Sequence, residues 1–454
     1  MGDPASDYTA RRRATYEAIK ANPWGSFITE RPPLFSPAAA AQDVANGRNT
    51  YMRFGATYLA TVFTDTLAEA RAHHDTAYLG DWSPLSKIRV TGPDALRFLS
   101  WLGMNDLSRF ELGQIKHHVQ LDEHGYVAME GILVRVGEEE FVFTAGSGDW
   151  LLWQLSQGDW DADAVDETPD GFIFGVQGPR SLEVLERLAG DLRDIRFNRS
   201  RPATVAGREV RILRTGISGQ LGYEVHGAAA DGDAVWAAVV DAGRDSGLLQ
   251  LGFAAMSNQH VEAGIATNGL DYLPASIPTP GAPWQFKSGG PTGSFVPTTL
   301  SDYFRRPGEL GWTPRAGSRA DDYLGREAAG ESTRSFVGLL WNTDDVRAVQ
   351  DSLFEGELVD QFDLPRFAGA AFDRIVAPGA GLDGPDLGVA SGRTYSPYLR
   401  RMISFGVLER EHATPGTEVD VVWGRPGTSQ RLIRATVTTL PFVADGRRVD
   451  VTTL

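Results

Sequence analysis

A chain of 454 residues is long enough for two or three domains, each with a buried core. Its 43 Lys and Arg stand against 59 Asp and Glu, a formal charge of −16, so neither nucleic acid nor an anionic membrane is an expected partner. The count of zero cysteines excludes disulfides, thiolate nucleophiles, zinc–thiolate centres and cysteine-ligated iron–sulfur clusters.

The N-terminus lacks the apolar stretch of a signal peptide, and no run approaches the roughly 18 apolar residues of a membrane span, so a cytoplasmic location is expected. Residues 1–52 read as an N-terminal arm. Pro23, Pro32, Pro33 and Pro37, followed by the alanine run Ala38 to Ala41, predict an extended segment lying over the main body. From Asp65 onward short helices and strands alternate. A helix ends near His74, a strand covers Ile88 to Val90, a helix runs from Pro93 to Leu102, and strands lie near 131–136 and 140–144. Residues 53–315 are therefore read as a mixed α/β core. Beyond residue 330 the apolar runs Ser335 to Trp341, Arg374 to Ala377, Met402 to Val407, Glu418 to Trp423 and Arg431 to Thr438 are separated by Gly, Pro and Asp turns. They predict an antiparallel β-barrel over residues 316–454.

One pattern occurs twice. Val90-Thr-Gly-Pro-Asp-Ala-Leu96-Arg-Phe-Leu99 and Val176-Gln-Gly-Pro-Arg-Ser-Leu182-Glu-Val-Leu185 share V-x-G-P-x-x-L-x-x-L at a strand-to-helix junction. Glycine ends the strand, proline takes the first helical turn where its missing N–H costs nothing, and the leucines face a sheet. Two copies imply a duplicated unit, although packing alone accounts for the Leu and Pro positions.

Several motifs fail on context. Gly379-Ala-Gly381-Leu-Asp-Gly384 matches G-x-G-x-x-G, but Pro385, Asp386 and Gly388 leave no helix to receive a pyrophosphate, and a hairpin turn is the better reading. Gly216-Ile-Ser218-Gly219-Gln220 lacks the second glycine of a nucleophile elbow. The adjacent pairs His73-His74 and His117-His118 diverge by about 100° on a helix or point to opposite faces on a strand, so no metal site is expected. His117 and His118 read as one core-facing and one solvated imidazole, or as a catalytic pair. The segment Arg214 to Gly227 leads through glycines to Glu224, a carboxylate inside an apolar strand. It suits a pterin edge, whose N3–H and 2-amino group offer two parallel donors, or the solvent face of a hairpin.

In order along the chain, V-x-G-P-x-x-L, Asn105-Asp106, Gly125 to Val134 with Glu130, Val176-Gln-Gly-Pro, Arg214 to Glu224, Val261-Glu262-Ala-Gly264 and Leu310-Gly-Trp312 to Arg326 resemble the aminomethyltransferase (glycine-cleavage T-protein) family. The segments Gly293 to Tyr303, Leu340 to Phe354 and Phe362-Asp363-Leu364-Pro365 more closely resemble its subgroup of bacterial tetrahydrofolate-dependent vanillate and syringate O-demethylases. The resemblance implies an α+β three-domain cloverleaf: two duplicated ferredoxin-like α/β units, partly discontinuous, plus a C-terminal antiparallel β-barrel. It implies tetrahydrofolate in a central channel and a small-molecule methyl donor whose methyl group passes to folate N5.

Carried over residue by residue, the pterin anchor falls on Glu224, the Q-G-P glutamine on Gln177, and the acid near the reactive nitrogen on Glu130, where T-proteins carry Asp. Tyr223 and Trp150 join the expected cofactor-binding set, and Trp82, Met256 and His118 the expected substrate set. The subgroup's acid tyrosine falls on Met256, which has no proton to donate, and its histidine pair falls on Ser83 and Pro84. Proton donation to a departing oxygen would then pass to His260, His117 or His118, or be dispensed with. With a quaternary ammonium or sulfonium donor, Trp82, Trp150, Tyr51 and Phe54 either box a cation or are core packing. The expected activity is removal of a methyl group from a methoxylated aromatic. The alternatives are an N- or S-demethylase or aminomethyltransferase of the same family, and a non-catalytic folate-binding protein.

Overall fold

The computed structural model describes residues 9–10, 12–14, 16–17, 20, 34–48, 50–256, 258–279, 290–313, 322–362 and 370–454. Pro23, Pro32, Pro33 and the Asp363-Leu364-Pro365 segment lie outside the described residues. In chain order the strands are β1 (Leu34–Phe35), β2 (Tyr51–Phe54), β3 (Thr57–Ala60), β4 (Ala77–Asp81), β5 (Ser86–Thr91), β6 (Ile115–Leu121), β7 (Val127–Gly137), β8 (Glu140–Ala145), β9 (Asp163–Asp166) and β10 (Gly171–Gln177). They continue with β11 (Ser200–Val205), β12 (Arg208–Leu213), β13 (Gly222–Ala228), β14 (Leu248–Leu251), β15 (Arg334–Trp341), β16 (Asp373–Val376), β17 (Asp386–Ser396), β18 (Arg401–Glu409), β19 (Glu418–Trp423) and β20 (Arg431–Thr438).

The repeated motif builds the same corner twice. Gly92 and Gly178 adopt φ of 119° and 129°, a region only glycine enters easily. A Cβ on Gly92 would lie 2.7 Å from the Asp161 carbonyl oxygen, and one on Gly178 would lie 2.7 Å from that of Thr76. The helices Ala95–Leu102 and Ser181–Ala189 follow, and their leucines enter the cores of two sheets. The first sheet is ordered β6-β7-β8-β5-β9 and the second β11-β12-β13-β10-β4-β14. Because β4 and β14 join the second sheet, the two α/β units interlock along the chain.

Period-two alternation decides what each sheet face carries. On β13 and β10, Tyr223, Val225, Phe172, Phe174 and Val176 enter the core beneath Ser181–Ala189 and Gly232–Gly243. Glu224, His226, Gly175 and Gln177 take the opposite face. On the first sheet Met129 and Leu133 pack beneath Ala95–Leu102 and Asp149–Gln157, and His117, Glu130 and Ile132 take the other face. The two helix-free faces meet where Leu213, the cross-strand partner of Glu224, packs on Ile115 and Val134.

The remaining strands close a barrel, β15-β18-β17-β16-β19-β20, around Leu339, Trp341, Ile375, Val421 and Ile433. The glycine-rich segment Gly379 to Gly384 joins β16 to β17, which pair antiparallel, so it is a hairpin connection. β17 had no apolar run to announce it. The alanine run Ala38 to Ala41 is not extended: Ala39–Asp43 is a short helix against Gly232–Gly243, with Ala38 in that core.

Candidate functional site

Three positions lie in a row across the helix-free face of the second sheet. Glu224 pairs with Gly175 and Gly175 with Gly80. The two glycines make room beside the carboxylate, and aromatic rings from β4 and the residue after it fill that room. A Cβ on Gly80 would stand 3.2 Å from the Tyr78 ring, and one on Gly175 would stand 2.7 Å from Trp82 Nε1. Glu224 is half-buried, and its Oε2 lies 2.9 Å from His226 Nε2 on the same strand face.

Tyr78 is fully buried, yet its hydroxyl completes no hydrogen bond among the described residues. The side chain beside it is Gln259, whose Oε1 is the acceptor its hydroxyl faces. Burial, reinforced by the Glu224 carboxylate, holds the Tyr78 phenol well above its ordinary pKa, so it stays protonated at neutral pH. Met256 is buried against the same cluster, with Trp82 packed alongside. Gln177 is committed to the loop that delivers Glu224. Its amide donates to the carbonyls of Thr215 and Tyr223, both at 3.1 Å, and accepts from Ser218 Oγ at 3.0 Å. Gly216 and Gly222 make room for it, since a Cβ on either would fall within 2.2 Å of Gln177 Oε1.

The facing sheet presents a second carboxylate–imidazole pair. Glu130 Oε2 lies 2.8 Å from His117 Nε2, and the His117 ring meets the edge of Trp312 at 5.0 Å. Trp312 in turn contacts Tyr272 at 6.1 Å. The buried Tyr272 hydroxyl faces the Asn268 amide. A buried polar atom left open costs about 1–3 kcal/mol, so each tyrosine hydroxyl is held against its neighbouring amide, Tyr78 against Gln259 and Tyr272 against Asn268.

Four expected residues occupy other settings. His118 points away from His117 to the helix side of β6. Its Nε2 donates to the Leu99 carbonyl at 2.8 Å, its Nδ1 accepts from Gln120 at 3.2 Å, and its ring fills the space left by Gly103. Both nitrogens are used, and burial pushes its pKa down to about 4. Trp150 belongs to the core beneath the first sheet and Tyr223 to the core beneath the second, the face opposite Glu224. These three side chains do not join the cluster: strand alternation sends His118 and Tyr223 to the helix side, and Trp150 lies on the sheet-facing side of the helix Asp149–Gln157. His260 is buried at the barrel junction, with Nε2 3.2 Å from Asp271 Oδ2 and its ring 6.2 Å from Phe405.

The divergence expected of His73 and His74 is overturned. Their Nε2 atoms converge on one oxygen, Glu262 Oε2, at 3.1 and 2.7 Å, with the ring centroids 3.9 Å apart. Glu262 Oε1 accepts from Ser396 Oγ at 2.5 Å, so this cluster ties the helix Thr66–Asp75 and the helix Asn258–Glu262 to the barrel. Tyr78 and Tyr272 were the site residues not singled out in the sequence. The alternation Tyr78-x-Gly80-x-Trp82, an aromatic wall with a glycine gap, was the available signal for the first.

Residues 27–279 match the family model of the GCVT N-terminal domain. A sesamin methylene transferase from Sinomonas sp. (strain No.22) is 37% identical over 412 residues, covering 83% of this chain and 88% of that protein. A syringate O-demethylase from Sphingobium sp. (strain NBRC 103272 / SYK-6) is 30% identical over 415 residues, covering 84% and 88%. An aminomethyltransferase from Saccharopolyspora erythraea is 26% identical over 382 residues, covering 82% and 89%. In fold the chain is similar to the glycine cleavage system aminomethyltransferase T from Bartonella henselae, with a TM-score of 0.65 and 20% identity over 91% of this chain and 99% of that one. No helix among the described residues is long and apolar enough to cross a membrane. With duplicated α/β units, a closed barrel and two inward-facing glutamates, the chain belongs to the GCVT aminomethyltransferase family of tetrahydrofolate-dependent transferases.

Proposed function

We propose that this protein passes a one-carbon unit from the oxygen of a small aromatic ether to tetrahydrofolate, in the cytoplasm. In the methyl case the O–CH3 bond breaks and the N5–CH3 bond forms, with the N5 proton balancing the phenol released. The products are one phenol and one 5-methyltetrahydrofolate. The observation that carries this reading is the cluster beside Glu224: a half-buried carboxylate bonded to His226, a buried protonated phenol at Tyr78 and the Trp82 ring lying over Gly175. The relative named as an O-demethylase supports the same chemistry.

Tetrahydrofolate, when bound, supplies the nucleophilic nitrogen. The residues fit it: Glu224 offers the paired acceptor that a pterin's N3–H and 2-amino edge needs, and the partly exposed Trp82 ring offers a flat face. His226 orients Glu224, and Gln177 fixes the loop before it. A methyl ether leaves slowly unless its oxygen is protonated or hydrogen-bonded, and a positioned acid contributes about 10²–10⁴-fold. We assign that role to Tyr78 ahead of His260. The Tyr78 hydroxyl is protonated and packed in the cluster of Met256, with the amide of Gln259 beside it, whereas His260 is engaged with Asp271. Met256 and Trp82 then exclude water from the reacting ether.

A second reading, favoured by the sesamin methylene transferase, is transfer at the methylene level. A methylenedioxy ring would give a catechol and 5,10-methylenetetrahydrofolate, both folate N–H hydrogens passing to the two oxygens. Anaerobic incubation with tetrahydrofolate and a panel of methoxyaromatics, methylenedioxyaromatics, methylamines and sulfonium compounds, read by mass spectrometry of the folate pool, tests both. The proposal expects 5-methyltetrahydrofolate from a methoxyaromatic, and 5,10-methylenetetrahydrofolate from a methylenedioxy ring would establish the second reading. Turnover of amine or sulfonium donors alone contradicts both.

A further inference from the structure

The convergence of His73 and His74 on Glu262 gathers three metal-ligating side chains that the proposed reaction does not use. One ligand atom from each lies within 4.8 Å of the other two, and the distances from the imidazole Nε2 atoms to Glu262 Oε2 are 3.1 and 2.7 Å. Two helices supply them. His73 and His74 stand near the end of the helix Thr66–Asp75, and Glu262 ends the helix Asn258–Glu262. The carboxylate is held from behind: its Oε1 accepts from Ser396 Oγ at 2.5 Å and from the Asn258 amide at 3.3 Å, which leaves Oε2 to the two imidazoles. Arg71, whose charge also acts on Glu262, is engaged elsewhere. Its guanidinium donates to Asp75 at 3.1 and 3.3 Å and to the Pro397 carbonyl at 3.3 Å.

Two imidazoles and one carboxylate are a donor set that zinc accepts when its remaining position is left to water. We propose that His73, His74 and Glu262 bind a divalent transition ion of the zinc class, which braces the barrel against the α/β core. Zinc bonds of about 2.0–2.1 Å set tetrahedral ligand atoms roughly 3.3 Å apart, so the imidazoles need to draw back from Oε2 by less than about 1 Å. Imidazole nitrogens favour such ions over magnesium and calcium. Ser396 and Asn258 orient the carboxylate as outer partners do around metal ligands. Ser396 is the last residue of β17, so the ion would join both helices to the barrel wall. A path from solvent lies on the His74 side, where the ring stacks on Tyr398 at 3.9 Å and Tyr398 is 44% exposed.

Calorimetric titration of the full chain with zinc, after chelator treatment and without a histidine tag, tests the site. One equivalent should bind with micromolar or tighter affinity. His73→Gln and His74→Gln each keep an N–H for Glu262 but remove an imidazole ligand, and they should weaken zinc by about tenfold or more, as should Glu262→Gln. His124→Gln, at an exposed imidazole, should leave the affinity unchanged. Zinc should raise the thermal midpoint of the wild type and leave those of the three ligand variants where they are. If a variant does not fold, zinc-edge X-ray absorption of the loaded wild type decides: two imidazoles and a carboxylate oxygen around the ion support the site, and one imidazole or none overturns it. Absence of micromolar zinc binding, or an affinity that survives all three substitutions, overturns it as well.

Discussion

Glu224 and His226, two residues apart on β13, point to the same side of the sheet and meet at 2.9 Å. The spacing of two is what a strand requires for neighbours on one face, and the imidazole fixes which way the carboxylate opens. Glu224→Ala should therefore lower tetrahydrofolate affinity roughly 10- to 150-fold, the worth of hydrogen bonds to a charged acceptor. Calorimetry on the folded variant checks this. His226→Ala should cost less, because the carboxylate remains and only its orientation is lost.

Tyr78→Phe removes one oxygen from a buried ring and leaves the packing intact. It should reduce kcat on a methoxyaromatic by about 10²–10⁴-fold with tetrahydrofolate affinity unchanged. The loss should shrink for donors with nitro-substituted rings, whose phenolates leave without help. A loss independent of the leaving group would make Tyr78 structural. His260→Gln should leave the rate within a few-fold, and Met256→Tyr should speed an aryl ether only if its hydroxyl reaches the same oxygen.

Stability should fall in acid through His118. Burial lowers its pKa from the ordinary 6.5 to about 4, so between these values the unfolded chain binds a proton that the folded chain refuses. The penalty is absent above pH 6.5, grows as the pH falls, and is complete near pH 4. Denaturant titrations across this range should show it, and His118→Gln should flatten the slope while lowering stability at neutral pH.

Glu262 holds the barrel to the first unit. Burial alone would raise its pKa, but the imidazoles of His73 and His74 bring it down to about 2. Glu262→Ala strands two imidazoles and the Ser396 hydroxyl, and should cost about 1–3 kcal/mol for each buried polar group left unpaired. Thermal unfolding should show the barrel separating from the rest before the α/β units melt.

The fold was legible where local rules decide it. The two V-x-G-P corners, the barrel runs and the His117–His118 division all follow from turn chemistry and strand alternation. β17 was missed because Gly388 and Gly392 interrupt any apolar period, and the helix Ala39–Asp43 because proline punctuation was read ahead of alanine propensity. Glu224 was singled out through its glycine approach, and the structure places it half-buried on the helix-free face of the second sheet. The side chains of Tyr223, on a strand, and Trp150, on a helix, lie in the two cores, a placement that the sequence motif does not fix. Tyr78 and the convergence of His73 and His74 on Glu262 depend on contacts between residues far apart in the chain.

The most direct test of one-carbon transfer is to follow the carbon. An anaerobic reaction with a methoxyaromatic labelled with ¹³C in its O-methyl group, analysed by ¹³C NMR, should move the label to N5 of tetrahydrofolate. One phenol should be released for each folate labelled, and Tyr78→Phe should slow the transfer. Label that stays on the donor, or emerges as free formaldehyde with the folate pool unlabelled, would contradict the account.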